Sequence, residues 1–116
     1  MKYERIEPHI DLNDPEQGFD FASEGDHVRL WFIDWRNRRV VFSFRVVYWF
    51  FRRRAGGYCG LPEGQVLEII DSDVIRSLRD DGTAAAGEEL HHFVISTNEE
   101  EWCEIVAERM DIEMEV

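Results

Sequence analysis

The chain has 116 residues, 44% of them hydrophobic, including eight Phe, four Trp and three Tyr. That is one domain, residues 1–116, with a sizeable core. Its net charge of −12 makes the surface poor at holding phosphate backbones, which disfavours nucleic acid as a partner. The longest apolar candidate, Val40–Phe51, is too short to span a bilayer and is broken by Ser43 and Arg45.

Residues 1–26 are loosely patterned, punctuated by Pro8, Asp14-Pro15, Gly18 and Gly25. Asp14-Pro15 reads as the cap and first position of a single helical turn. Tyr3–Ile6 and Phe19–Phe21 read as short edge strands. The segment MKYERIEPHIDL lacks an apolar stretch of signal-peptide type. Two cysteines, Cys59 and Cys103, are too few for a disulfide framework, so a reduced, cytoplasmic protein is expected.

The strongest local signal is a hairpin: His27–Trp35 and Arg38–Phe51 are rich in β-branched and aromatic residues, and Arg36-Asn37 lies between them. A two-residue turn there places Asp34 opposite Arg39, Ile33 opposite Val40 and Trp31 opposite Phe42. A loop of three to five residues is the other option. Both faces of the hairpin are apolar, as expected of central strands covered on both sides or of a strongly curled sheet.

After the glycine-rich stretch Gly56–Gly60, Val66–Ile70 (VLEII) reads as a strand. Asp71-Ser72-Asp73 can cap a short helix over Val74–Arg79, which Asp80-Asp81-Gly82 ends. Leu90–Ser96 (LHHFVIS) reads as a strand. Thr97-Asn98-Glu99-Glu100-Glu101 has the form of a helix start, with Trp102, Ile105, Val106 and Met110 as the buried side. Ile112, Met114 and Val116 alternate as a closing strand would. The expected fold is therefore α+β: a mainly antiparallel, curved sheet of about five or six strands with one short helix and a C-terminal helix.

Charge is unevenly placed. Residues 29–54 hold eight arginines against Asp34 alone, whereas residues 55–116 hold three arginines against sixteen acids. The run Arg52-Arg53-Arg54 after Tyr48–Phe51 has the look of a single-strand nucleic-acid grip. The nearest anions are nevertheless the protein's own, so the run reads as a clasp on internal carboxylates. Arg45 lies mid-strand on an apolar face, where it must meet a carboxylate or open onto a cleft.

On the expected last helix, Glu100, Glu104 and Glu108 form a ridge flanked by Glu101, with no basic residue four positions away. Such a ridge is either a solvated face or a docking surface for a basic partner. No catalytic constellation, cofactor motif or metal-ligand spacing stands out. His91 and His92 are adjacent on a strand and point to opposite faces.

In size, acidity and aromatic richness the whole chain resembles the small immunity proteins of bacterial toxin–immunity systems. The resemblance implies a non-enzymatic cytoplasmic inhibitor that binds a basic toxin domain, with Glu100, Glu101, Glu104 and Glu108 blocking the toxin or mimicking its negatively charged substrate. The alternative is a small-molecule or peptide-binding module that uses an apolar sheet face with Arg45 as anchor. A homodimer is one way to cover the spare face. Neither reading calls for a cofactor.

Overall fold

A computed structural model describes residues 2–54, 61–99 and 101–115, the side chains at 53 and 54 excepted. It contains strands β1 (Tyr3–Arg5), β2 (Gln17–Glu24), β3 (His27–Ile33), β4 (Arg39–Arg54) and β5 (Val66–Ile69), helix α1 (Asp73–Asp80), then β6 (His91–Ser96) and β7 (Glu101–Glu115). The strands form one antiparallel sheet in the order β1-β5-β6-β7-β4-β3-β2. With 54% of the described residues in strands and 8% in helix, the protein is mostly β. The α+β expectation is overturned, because residues 101–115 are not a helix but a central strand. No described helix is long and apolar enough to cross a membrane.

The long pair β4–β7 dominates. Its ladder runs from Arg39 opposite Glu115 to Arg54 opposite Glu101. Val40, Phe42 and Phe44 lie on the inner face with Leu30, Phe32, Phe93, Ile95, Cys103 and Ile105, and together these residues form the main core. Val47 also joins this core, although it is an odd number of residues beyond Phe44. The change of side occurs at Val46, whose φ is 55°. A bulge follows, since Val47 pairs with Ala107 but Trp49 pairs with Val106. The inner face of β4 is thus supplied by Val40, Phe42 and Phe44 and then by Val47, whereas Tyr48 and Trp49 pack on the outer side under α1, so both faces of the strand are apolar.

The sheet curls so that β2 lies against the far half of β4. Phe21 meets Phe50 edge-on at 5.2 Å, and the Arg52 guanidinium lies 4.7 Å from the Phe21 ring. The connection between β1 and β2 straps the inner side and buries Leu12 completely. The strap's hydrogen bonds run from Leu12 N to Gly64 O and from Glu16 N to Ile33 O. Asp14 has φ 51° and no helical turn forms at Asp14-Pro15. The edge strands expected near residues 3–6 and 19–21 are β1 and β2, the two edges of the sheet.

The β3–β4 register differs by one residue from the tight-turn expectation: Ile33 faces Arg39, Trp31 faces Val41 and Val28 faces Phe44. Asp34 decides this. Its buried carboxylate accepts from Arg36 N (3.0 Å), Arg38 N (2.7 Å) and Arg38 Nε (2.9 Å). Asp34 thus organises a wider turn instead of pairing across the strands with Arg39. Asn37 takes the left-handed conformation at φ 61°.

On the outer face α1 covers one half of the sheet. Val74, Ile75 and Leu78 pack on Ala84, Leu90, Val106, Tyr48 and Trp49. Ser72 is the N-cap and its hydroxyl accepts from Ile75 N.

A β-branched residue at positive φ costs on the order of 1–3 kcal/mol. Val46→Gly relieves that strain, which offsets the lost side-chain contacts and the extra chain entropy, so its unfolding free energy should stay within about 1 kcal/mol of the parent. Phe42→Ala, by contrast, should cost about 3–5 kcal/mol. Urea unfolding of the two variants decides; a Val46→Gly loss as large as that of Phe42→Ala contradicts the assigned kink.

Candidate functional site

Once residues 101–115 form a strand, the acidic ridge expected on a last helix is redistributed. Glu101 points inward, where Oε2 accepts from Phe19 N at 2.9 Å and stands 4.0 Å from Arg52. Glu104 points outward but is only 3% exposed. Glu108 is half-buried on β7 next to Ala107. Glu100 lies outside the described residues. Neither Glu101 nor Glu104 stands free on the surface.

Glu104 instead belongs to a buried polar chain. Its Oε1 is 2.8 Å from His92 Nε2, and its Oε2 accepts from Trp102 Nε1 at 3.3 Å. The other ring nitrogen, His92 Nδ1, is 2.7 Å from Ser72 Oγ. With the carboxylate ionised, Nε2 carries a ring hydrogen, and Nδ1 either accepts from the Ser72 hydroxyl on a neutral ring or donates to it on a charged one. Serine, imidazole and carboxylate in a row is the order of an activated nucleophile. Here, however, Ser72 Oγ is engaged on both sides, accepting from Ile75 N at 3.1 Å and sharing a hydrogen bond with His92 Nδ1. The chain therefore acts as a fastener that ties the start of α1 to β6 and β7. No single stretch of sequence contains it, because Ser72, His92 and Glu104 come from three different elements. The only local hint was a histidine flanked by strand-forming residues.

His91 faces the other side of the sheet, as its adjacency to His92 requires. Its Nδ1 is 2.8 Å from Glu68 and its Nε2 is 2.9 Å from Glu89. Burial alone lowers the pKa of this imidazole, but the two carboxylate hydrogen bonds outweigh it and the net shift is upward. Tyr48 donates to Glu88, and chiefly this bond pushes its phenol pKa up to about 12. Cys103 is a free, fully buried thiol whose pKa burial raises. Cys59 lies outside the described residues. No group of three or more potential metal ligands occurs among the described residues.

The arginine-rich stretch is also distributed by the strands. Arg39 pairs with Glu115 at 3.2 Å, Arg38 with Asp34 at 2.9 Å and Arg52 with Glu101 at 4.0 Å. Arg45 is exposed and lines a cavity on the outer face with Arg29 and Ser43.

Five exposed carboxylates lie along the strap and the turns it touches, while others, among them Glu4, Asp20, Glu24, Asp80, Asp81 and Glu113, are spread over the rest of the surface. Asp11, Asp14 and Glu16 are exposed on it, and none forms an ion pair among the described residues. The Leu12–Gly64 bond brings Glu63 beside them. A reciprocal pair, Asp14 N to Asn98 Oδ1 (2.8 Å) and Asn98 Nδ2 to Asp14 Oδ1 (2.9 Å), brings up Glu99. Glu63 and Glu99 are likewise exposed and lack an ion pair among the described residues. Arg36 and Arg38 share a small cavity with Asp11, but Arg38 is held by Asp34 and Arg36 lies over the Trp35 ring at 4.5 Å.

Compared with known proteins, the chain matches no family model, no curated protein and no solved structure.

Glu104→Ala strands a buried histidine and should cost about 3–5 kcal/mol, whereas replacing both partners together (His92→Leu with Glu104→Leu) should cost less than that single change. Denaturant unfolding of the three proteins tests this; a Glu104→Ala loss below about 1 kcal/mol shows that the chain of bonds does not fasten the fold.

A second expectation concerns pH. Because the folded pKa of His91 is raised above its unfolded value of about 6.5, its stabilisation is complete below that pH and disappears as pH rises through the folded value. His91→Gln should therefore flatten the fall of Tm between roughly pH 6 and pH 8. An unchanged slope contradicts the Glu68–His91–Glu89 bonding.

Proposed function

We propose that this is a binding protein of the immunity type, which docks through the acidic strap on a basic domain of a toxin. The observation that carries the reading is the convergence of Asp11, Asp14, Glu16, Glu63 and Glu99, five exposed carboxylates with no ion pair among the described residues. Their mutual repulsion is a cost that the fold tolerates, and a cationic partner relieves it.

The strap is also built to keep its shape. Leu12 anchors it in the core, and the Asp14–Asn98 pair fixes its far end. Its carboxylates are thus presented without a large ordering cost on binding. An array of this kind speeds association by long-range attraction, and the effect fades as salt shortens the screening length from about 10 Å at 0.1 M. Docking there places the protein's negative groups where a nuclease-type toxin holds phosphates.

The test is capture of partners by the immobilised protein from cells that make it, washed at about 50 mM and about 500 mM salt, with the retained proteins identified. The expected result is a strongly basic protein held at low salt only. The variant carrying D11N, D14N, E16Q, E63Q and E99Q should bind that protein with an association rate at least about tenfold lower. Absence of a basic partner at low salt, or equal binding by the variant, contradicts the reading.

A further inference from the structure

In a chain with 25 acidic residues, an arginine without a counter-charge is unexpected. Arg5, Arg38, Arg39, Arg52, Arg76 and Arg109 each form an ion pair. Arg79 donates to Glu88 O, Arg36 lies over Trp35, and Arg29 is 6.0 Å from the Trp31 ring. Among the arginines whose side chains are described, Arg45 alone has no hydrogen bond, ion pair or ring contact.

Its position explains the isolation. Arg45 is paired in the ladder with Arg109, a like charge, and Arg109 is turned to Asp111 at 3.2 Å. Ser43, two residues back on the same face, pairs with Arg29 on β3 and with Asp111 on β7. Arg45, Arg29 and Ser43 line one cavity of about 310 Å³, together with Ala22, Val28 and the rim residues Glu24 and His27. That volume is at the small end of ligand sites.

We propose that this cavity binds a small monocarboxylate. The Arg45 guanidinium takes the carboxylate as a two-point fork, the Ser43 hydroxyl donates to it, and Arg29 supplies a second positive charge. Ala22 lines the cavity beside them. The Glu24 carboxylate on the rim and the net charge of −12 favour a single negative charge over a phosphate dianion. This site lies on the outer face and is separate from the acidic strap, so its failure leaves the strap reading untouched.

The probe is phenylacetate, titrated into the labelled protein and followed by amide chemical shifts, with phenylacetamide and inorganic phosphate as comparison arms. The expected result is saturable shifts at Ala22, Arg29, Ser43 and Arg45. The response should be about tenfold weaker for phenylacetamide and for Arg45→Gln, with Arg45→Lys in between. Arg45 is exposed, so these variants keep the fold, which a thermal scan verifies. Equal binding by Arg45→Gln, shifts confined to other parts of the sheet, or no saturable shift overturns the proposal. Tighter binding of phosphate than of phenylacetate overturns the monocarboxylate assignment.

Discussion

Everything in this structure answers to the antiparallel ladder between β4 and β7. Two strands of 16 and 15 residues pair along most of their length, so two wide faces need cover. The inner face is closed by the curl of the sheet and by the strap that buries Leu12. The outer face is closed over only one half, by the eight-residue α1. Without the β4 kink near Val46, a single alternation would send either Phe44 or Val47 to the wrong side. The kink lets one strand serve the inner core along its whole length.

The same ladder sorts the charges. β4 carries arginines and β7 carries acids, and the register sets Arg39 beside Glu115 and Arg52 near Glu101. Internal pairing uses most of the basic residues. Of the acids without a basic partner, five lie on the strap and the two turns it touches. Arg45 is left over on the outer half that no helix covers. The protein therefore presents an acidic surface on the strap side and a small cationic cavity on the opposite face. Both are by-products of one pairing pattern.

Local chemistry was legible where neighbours in sequence decide the outcome. The hairpin over residues 27–51, the Ser72-capped helix, the strands at 66–69 and 91–96, and the opposed histidines all follow from short-range rules. The hairpin register did not, because Asp34 can either pair across strands or hold the turn, and burial of its carboxylate selected the turn. The last segment misled for a similar reason. Thr97 to Glu101 carries helix-start residues, and Trp102, Ile105, Val106 and Met110 fit a helical stripe. In fact both faces of Trp102–Ala107 are buried, so alternation is hidden, and tertiary pairing with β4 overrides the local signal. Glu104 looked unneutralised because its partner His92 sits on the adjacent strand and not four residues away along a helix. The strap carries no local pattern because its order comes from Gly64, Asn98 and the core, all distant in sequence.

The central claim is that residues 101–115 are the middle strand of the sheet, since this turns Glu101 inward, buries Glu104 beneath α1 and leaves the strap as an acidic surface. Nuclear Overhauser contacts across the chain test it most directly. The account predicts cross-strand contacts joining Ser43 to Asp111 and Arg52 to Cys103, with extended-chain carbon shifts throughout 101–115. Contacts three residues apart along 99–110, with helical carbon shifts and no link to β4, would contradict it.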